Sequence, residues 1–482
     1  MRKIFTISLA VLGAMVFGQF TTPGTGQTYT ITDLDALTDD LSYDEATQRY
    51  ILTNDLTIST TDTFLADSDF TLAIEPGKLI SVAGSIQVNA PNLVHFTTLT
   101  EGSYFQGLRL QSGATAQFNN FKMTYGGGIR DLGSTFLMEN SEVSFQNSGI
   151  STGAAINFSG GNPIIRNSRF ESNRTPAVAS GANQSVALTF ENNYLFSNNL
   201  ENSNRPQINM GPSGVGATTI IRGNTIIGNR AMTRAGGISV SSLLGVDNEF
   251  LIENNLIQDN RYGITTTGGN TKGNIINNRI IDNNTEPVPA NGGSGINIYL
   301  AQNRPDYVIN IFENTITGNL WGLTNIGAGA QINLGDANRY GHNVFDGNGN
   351  EGVTYAFYNN SPVAVSAQGN CWDNWLTEER AEEVIFHFND DETLGLVDYS
   401  NFVCLLNTKD ESKKQLKLYP NPSNGKITVE VEQNDTYQLF DLTGKQIEKG
   451  ELKKGKNDLN LKLSKGVYVL KTTQSTRKII IK

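Results

Sequence analysis

The chain is poor in the residues that most often build metal and redox sites. Its 482 residues include two cysteines, three histidines and three tryptophans, and charged side chains make up only 17%. The histidines, His95, His342 and His387, lack metal-ligand spacing, so the sequence predicts no metal site of the zinc type. No stretch beyond residue 18 is long and apolar enough for a membrane helix, which excludes an internal helical anchor.

Lysine is also scarce until residue 409, where the charge of the chain changes sign. Residues 409–482 carry 16 basic and 9 acidic side chains, whereas the preceding residues carry 20 basic and 38 acidic ones. Such a switch predicts a domain boundary, with residues 409–415 as a linker. Phosphate binding needs a positive surface, so the acidic body is not expected to bind nucleic acid.

The first eighteen residues have the pattern of a secretory signal peptide. Residues 1–3 are basic, residues 4–17 are apolar but short, and residues 16–18 offer a cleavage site before Gln19. No cysteine stands at the site, as a lipoprotein anchor would require. The pattern predicts export into the periplasm.

An Asn-x-Ile-x-x-Asn pattern recurs through the acidic body at steps of 23 to 36 residues. A small residue followed by an aliphatic one comes after most copies, as at 263–264 and 295–296. Repeats of this length predict a solenoid, and short Thr- and Ile-rich runs between Asn and Gly predict coils of β-strands. Asn suits tight turns, and stacked Asn side chains can hydrogen bond from coil to coil. Clear copies begin at Asn193, Asn224, Asn255, Asn278, Asn314 and Asn343.

These repeats resemble the right-handed parallel β-helix family, which includes pectate-lyase-like proteins and carbohydrate-binding-and-hydrolysis repeats. The resemblance covers about residues 30–405. It implies an all-β fold in which residues 19–408 form a right-handed parallel β-helix with an N-terminal opening segment and a C-terminal closing segment. The family contains polysaccharide-cleaving enzymes, adhesins and passive stalks, so the fold alone does not decide the function.

The lysine-rich region carries four short motifs in order, at 416–429, 440–447, 465–471 and 478–482. They resemble the type A C-terminal sorting domain of the type IX secretion system of Bacteroidetes-type bacteria. The resemblance implies that type IX machinery is a partner and carries the protein to the outer cell surface or the medium. Alternating apolar residues and regular glycines predict a small antiparallel β-sandwich for 416–482.

The catalytic motifs of known β-helix enzymes are absent. Of the polygalacturonase-type pattern, only the Asp pair at 390–391 and the Gly-His-Asn at 341–343 come near. The pectate-lyase pattern of two arginines around a proline does not occur. These departures argue against both activities.

Two aspartates, Asp259 and Asp282, hold the same register in successive coils. Stacking would place their backbones about 4.8 Å apart, so the pair could share a raised pKa for acid–base catalysis or bind Ca²⁺. The alternative is that both are solvated turn residues, like Gly228 and Gly318 at the same position.

Three arginines and a tryptophan are candidate glycan-binding residues. Arg174, Arg230 and Arg261 each follow the second Asn of a repeat and could clamp carboxylates or sulfates of an anionic polysaccharide. Alternatively, they pair with nearby acids. Trp321, which comes shortly after a repeat Asn, is the best candidate for stacking on a sugar ring. Further aromatic candidates are Tyr262, Tyr299, Tyr340 and Tyr355.

Four other residues are expected to serve the structure. Cys371 and Cys404 both lie in the closing segment, and export would allow them to pair, although their separation alone does not decide it. The closing motif of the β-helix family uses an aromatic residue, so the resemblance implies that Trp372 closes the end of the β-helix. His95 lies in an apolar strand and is expected to be a buried core histidine.

The sequence therefore predicts an exported, monomeric β-helix protein that interacts with polysaccharide. Two alternatives stay open: a non-catalytic adhesive or structural surface rod, and a polysaccharide lyase or hydrolase with an unfamiliar active site. No cofactor is expected, apart from Ca²⁺ at Asp259 and Asp282.

Overall fold

The computed structural model describes residues 19–300, 304–329, 331–373, 377–404, 417–431, 433–441, 445–472 and 476–482. The predicted signal peptide, residues 1–18, and the predicted linker, residues 409–415, lie outside the described residues. The chain divides into two compact units after residue 404.

The first unit is a parallel β-helix, as the repeats predict. Each coil gives one short strand to each of three parallel ladders, which we name A, B and C in the order in which the chain visits them. Ladder A has 14 strands. They are Phe20–Thr21, Leu56–Ile58, Leu79–Val82, Gly107–Leu110, Ile129–Asp131, Ile156–Phe158, Val178–Ser180, Pro206–Met210, Gly236–Val240, Ile264–Thr267, Ser294–Tyr299, Trp321–Ile326, Phe357–Asn360 and Ile385–Phe386.

Ladders B and C share two long strands, Ser85–Thr98 and Thr115–Thr124, which bend from one ladder into the other. The other strands of ladder B are Thr28–Tyr29, Thr63–Ala66, Thr135–Glu139, Ile164–Arg166, Thr189–Glu191, Thr218–Arg222, Asn248–Glu253, Thr271–Ile276, Val308–Phe312, Gln331–Asn333, Val365–Ser366 and Val397–Asp398. Those of ladder C are Arg49–Leu52, Phe70–Ile74, Glu142–Ser144, Arg169–Glu171, Tyr194–Phe196, Thr225–Ile227, Leu256–Gln258, Arg279–Ile281, Thr315–Thr317, Val344–Asp346 and Cys371–Trp372. Leu41–Asp44 pairs antiparallel with Arg49–Leu52, and Gly349–Asn350 pairs with Val353–Thr354 in a small hairpin.

The interior of the coils is filled by aliphatic and aromatic side chains, because alternate residues of each strand point inward. In ladder C the central residues Leu195, Ile226, Ile257, Ile280 and Ile316 pair from coil to coil and are fully buried. Burial of one such side chain stabilises the fold by about 1.5–3 kcal/mol. These columns are therefore the main source of stability.

Asparagine side chains form a hydrogen-bonded column along the turn that leads into ladder C. Each Nδ2 donates to a backbone carbonyl and, except in the last member, also to the Oδ1 of the Asn one coil further on, at 2.9–3.1 Å. Every member is at most 2% exposed. The predicted coil-to-coil bonding of repeat asparagines is confirmed here, and the members are Asn193, Asn224, Asn255, Asn278, Asn314, Asn343 and Asn370.

A second column of hydrogen-bonded amide side chains lies directly after ladder C, but Asn229, the repeat residue expected in it, does not take part. That residue is half-buried, and its side chain donates to Ser197 instead of joining the column. Gln207, a fully buried residue of ladder A, takes its place. It accepts from Asn198 Nδ2 and donates to Asn260 Oδ1, both at 2.9 Å, so the longer side chain bridges the gap.

A short helix closes the N-terminal end of the β-helix. Helix α1, Ile31–Leu37, begins at Thr30, which forms a reciprocal capping box with Asp33. Leu34 is fully buried against the first coils, so the helix covers core that the strands would otherwise expose.

The C-terminal end is closed by Trp372, a second helix and a disulfide. Trp372 is fully buried and stacks on Phe345 at 4.8 Å, which confirms its predicted place at the end of the β-helix. Helix α2, Glu378–Val384, follows. Cys371 and Cys404 are bonded across 33 residues, and closing a loop of this length stabilises the fold by about 3–4 kcal/mol in the chain-entropy model.

The C-terminal unit is antiparallel and has its own core, in agreement with the predicted small sandwich. One sheet contains Lys417–Tyr419, Lys426–Val431 and Gly455–Asn460. The other contains Gln446–Leu452, Asp435–Phe440, Gly466–Thr472 and Thr476–Ile481. Val429, Leu439, Leu470 and Ile479 are fully buried between them.

A short 3₁₀ turn, Pro289–Asn291, lies in the insertion between ladders C and A. Across the described ranges, no helix has the length and apolar character needed to cross a membrane.

Candidate functional site

A groove of about 460 Å³ opens on the outer face of ladder A. Its floor is formed by successive strands from Ile264–Thr267 to Phe357–Asn360, and one wall is the insertion that contains the turn Pro289–Asn291. Arg261 and Trp321, two of the predicted glycan-binding residues, both line it. The fold thus brings together two residues that are 60 positions apart.

A row of hydroxyl and amide groups runs along the floor of the groove. Thr265, Asn297 and Thr324 hold one register in successive coils, and Tyr358 is next in the same row. Thr324 donates to Asn297 Oδ1 at 2.8 Å, and Asn297 Nδ2 donates to Thr265 at 2.9 Å. These bonds hold the row in one conformation along the lining of the groove.

An aromatic cluster forms one side of the groove. The Trp321 ring lies 4.5 Å from that of Tyr355 and 5.1 Å from that of Tyr358, centroid to centroid. The indole N–H donates to the carbonyl of Pro289 at 3.0 Å, and Tyr358 stacks on Phe386 at 4.7 Å. Trp321 is only half-buried, so the cluster presents a fixed ring surface of the kind that stacks on apolar faces of ligands.

Arg261 supplies the positive charge at the other side. Its guanidinium donates to the side chain of Asn204 and to the carbonyl of Asn291, and lies 5.9 Å from the Tyr262 ring centroid. Its Nε is buried and has no hydrogen-bond partner, and no acid forms an ion pair with it, within the part of the chain that the structure describes. A Cβ at Gly236 would come within 2.2 Å of the Tyr262 ring, so only glycine admits that ring.

The other two predicted arginines do not join Arg261 in one stripe. Arg230 donates to Asp259 Oδ1 at 2.6 Å and to Asn284 at 2.7 Å. Arg174 lies 4.0 Å from Glu201, and it is separated from Arg230 by a coil that has Asn199 at the corresponding position. Arg230 therefore has the close acidic partner that the alternative interpretation expects, and Arg174 has only a distant one. Arg261 instead faces the groove.

Asp259 and Asp282 lie at the predicted common turn position, outside the lining of the groove. Both have left-handed backbone, with φ of 58° and 54°. Burial, and next the carboxylate of Asp259, raise the pKa of Asp282, while Arg230 opposes the rise. The described residues contain no group of three or more His, Cys, Asp or Glu side chains placed to hold a metal, and Ca²⁺ binding by this pair stays a prediction.

The histidines lie far apart, and the prediction for His95 was wrong. His95 points outward from its strand, between the buried Val94 and Phe96. Its ring is half-buried, and its Nε2 lies 2.8 Å from Thr124 Oγ1, at hydrogen-bond distance. The alternation of the strand, which places every second residue outside, overrides the apolar character of the segment. Burial, with a smaller contribution from Lys122, lowers the pKa of His95 to about 4.

The other two histidines differ in exposure. His342 is exposed at a turn. His387 is fully buried in the closing segment, where its ring contacts Glu382 and accepts from the backbone of Val397.

The sequence interpretation missed the hydroxyl and amide row. Thr265, Asn297 and Thr324 each come directly after the aliphatic residue of a small–aliphatic pair, such as Gly263–Ile264 or Gly295–Ile296. The aliphatic residue points inward, so the next residue must point outward. The row is therefore encoded at the residue after each small–aliphatic pair, and not at the asparagine positions of the repeat.

Residues 417–482 match the family described as the secretion system C-terminal sorting domain. The C-terminal unit is therefore the sorting domain of an exported protein, which type IX machinery delivers to the cell surface or beyond. No match was found for the chain among curated proteins or among solved structures.

Proposed function

We propose that this exported β-helix binds an anionic polysaccharide in the groove on ladder A, without cleaving it. The observation that carries the proposal is the combination, in one groove, of the Trp321 ring cluster, the row from Thr265 to Thr324, and the guanidinium of Arg261. Sugar rings offer C–H faces to aromatic side chains and hydroxyl groups to hydroxyl and amide side chains. The groove has both kinds of surface on adjacent sides.

Arg261 favours an anionic polymer over a neutral one. A guanidinium can bind a carboxylate or sulfate through two parallel hydrogen bonds. The rest of the β-helix is acidic, so a polyanion would be repelled except where a cation without an acidic partner faces the ligand. Arg261 is such a cation, because it lines the groove and forms no ion pair with an acid among the described residues.

The lining of the groove favours binding over cleavage. Most glycoside hydrolases use a pair of Asp or Glu carboxyl groups that flank the scissile bond. None of the described residues that line the groove is an aspartate, glutamate or histidine. The competing enzyme hypothesis depends on Asp259 and Asp282, which lie at a turn outside the groove, and the Asp259 carboxylate is paired with Arg230.

A binding and product-release screen tests the proposal. The mature protein would be measured against polygalacturonate, alginate, chondroitin sulfate and neutral dextran, with soluble products assayed in parallel. We expect salt-sensitive binding to at least one anionic polymer and no products. Trp321→Ala should weaken that binding by about tenfold or more, whereas Tyr340→Ala, another partly exposed aromatic away from the groove, should not.

Two arginine variants separate the charge effect from folding. Arg261→Gln should lower affinity for the anionic polymer and reduce its salt dependence, because one ionic contact is lost. Arg230→Gln is the matched control, since Arg230 is paired with Asp259. Unchanged binding in both Trp321→Ala and Arg261→Gln would refute the groove, and products that disappear in Asp282→Asn would favour the lyase or hydrolase alternative.

A further inference from the structure

Two aromatic residues occupy a turn position that most coils give to small or polar residues. The residue directly after each ladder C strand is Ser172, Ser197, Gly228, Asp259, Asp282, Gly318, Gly347 or Asp373 in the later coils. In two earlier coils it is Tyr125 and Phe145, with φ of 55° and 58°. Left-handed backbone is a strained conformation for a bulky side chain, so the turn itself does not account for these rings.

The rings of Tyr125 and Phe145 are exposed to solvent and stack on each other. Tyr125 is 41% exposed and Phe145 39%, and they stack with centroids 5.4 Å apart and an angle of 15° between the planes. Tyr104, in the preceding coil, is 38% exposed and its ring lies 6.4 Å from that of Tyr125. The hydroxyl groups of the two tyrosines bond to no other residue in the described ranges. The rings therefore add little to the core and present a surface to solvent.

Arg174 lies at the end of this row. Together with Phe145, Tyr125 and the exposed Leu200 it lines a shallow groove of about 310 Å³. Its side chain is 57% exposed, and its nearest acid, Glu201, is 4.0 Å away, too far for a strong hydrogen bond. An aromatic surface thus adjoins a weakly paired cation, which is the same chemistry as in the groove on ladder A.

We propose that Tyr104, Tyr125, Phe145 and Arg174 form a second sugar-binding platform for the polysaccharide chain that occupies the groove on ladder A. The inference rests on the proposed function of that groove. Both surfaces lie along the edge where ladder C turns into ladder A, and six strand-to-strand steps of ladder C separate Phe145 from Trp321. At about 4.8 Å per step, the separation is roughly 30 Å.

The platform predicts a dependence of affinity on polymer length. A chain that spans both surfaces converts the second contact into an intramolecular one, so its affinity exceeds that for either surface alone. An oligosaccharide shorter than the separation contacts one surface at a time. The stacked rings bind the C–H faces of sugars, and Arg174 binds a carboxylate or sulfate on the same chain.

A double variant tests the platform by replacing both aromatic residues of the turn with asparagine. Tyr125→Asn with Phe145→Asn keeps a side chain that adopts left-handed backbone readily, so the melting temperature should stay the same or rise. Affinity for polygalacturonate, or for whichever anionic polymer of the screen binds, should fall about tenfold or more, while that for its trisaccharide should stay nearly unchanged. Gly347→Asn, at the same turn position of a distant coil with open space around it, is the matched control.

Each other outcome has a distinct meaning. If Trp321→Ala weakens polymer binding and the double variant does not, the platform is refuted and the groove stands. If the double variant unfolds at a clearly lower temperature, the rings are structural, and if it only converts a dimer to a monomer in sedimentation, they serve self-association; both results overturn the platform. If the wild type binds none of the anionic polymers, the groove and the platform fail together.

Discussion

Among single residues, His95 makes the stability of the β-helix depend on pH. Its pKa is lowered from about 6.5 to about 4 in the folded protein, chiefly by burial. Between these pH values the unfolded chain binds a proton that the folded chain does not, so stability decreases as the pH falls from 6.5 towards 4. The full effect is on the order of 2–3 kcal/mol.

His95→Gln should remove most of this acid sensitivity, because glutamine can still bond to Thr124 but does not take up a proton. Urea unfolding at pH 7 and at pH 4.5 would measure it. His342→Asn is the control, since it removes an exposed histidine at a turn whose left-handed backbone asparagine adopts readily. An equal loss of stability at low pH in the wild type and in His95→Gln would contradict the assignment.

The role of some side chains could be predicted from the sequence and that of others could not. The place of Trp372 at the end of the β-helix was predicted correctly from the resemblance, because the closing motif of that family uses an aromatic residue there. Arg261 could not be distinguished from Arg230, because their local sequences are alike. The difference comes from Asp259 one coil away and from the insertion at 284–293, and neither contact can be read from the pattern around the arginine.

At the level of elements, the asparagine column joins the coils by more than strand pairing. Asn255 Oδ1 accepts from the backbone and side chain of Asn224, each at 2.9 Å. Its Nδ2 donates to Ile221 O and to Asn278 Oδ1, also at 2.9 Å. Removing the side chain leaves several buried polar groups without partners, and each costs about 1–3 kcal/mol.

Asn255→Ala should therefore destabilise the β-helix by roughly 3–5 kcal/mol. Asn229→Ala tests the same substitution at a repeat position outside the columns, where we expect a loss below about 1 kcal/mol. Both values can be taken from urea unfolding followed by circular dichroism. Similar losses in the two variants would show that the column contributes no more than an ordinary turn asparagine.

A column of alternating charge on ladder B was not recognised in the sequence. Arg166 lies between Glu139 and Glu191, and Arg222 between Glu191 and Glu253, at one register in five successive coils. Arg166 Nε lies 2.5 Å from Glu139 Oε1, and Arg222 Nη1 lies 3.1 Å from Glu191 Oε1, so both form ion pairs. Each of these charged residues lies two positions before the first Asn or Ser of its repeat. The repeat register therefore indicates the position of the charged column in the sequence. Exposed pairs contribute little singly, but the alternation disfavours a coil slipping out of register.

For the molecule as a whole, the repeats predicted the coil but not where the groove forms. The Asn and Ile positions determine which residues point inward, and this order recurs in every coil. The groove depends on where the repeat is interrupted: the step from Asn278 to Asn314 is the longest, and its extra residues supply Pro289 and Asn291. Insertions follow no period, so the sequence shows their length and not the surface that they cover.

The division into two units predicts that export and folding of the β-helix can be separated. The β-helix has a continuous core of its own, closed by Trp372 and the Cys371–Cys404 bond, and the sorting domain has a different core. Deleting residues 416–482 should therefore leave the melting temperature of the β-helix nearly unchanged. In a host with type IX secretion, the truncated protein should accumulate in the periplasm, because the part recognised by the machinery is gone. Cell fractionation, with thermal melting of the recovered protein, measures both effects. Truncated protein on the cell surface would contradict the sorting role, and early melting would show that the β-helix needs its C-terminal unit to fold.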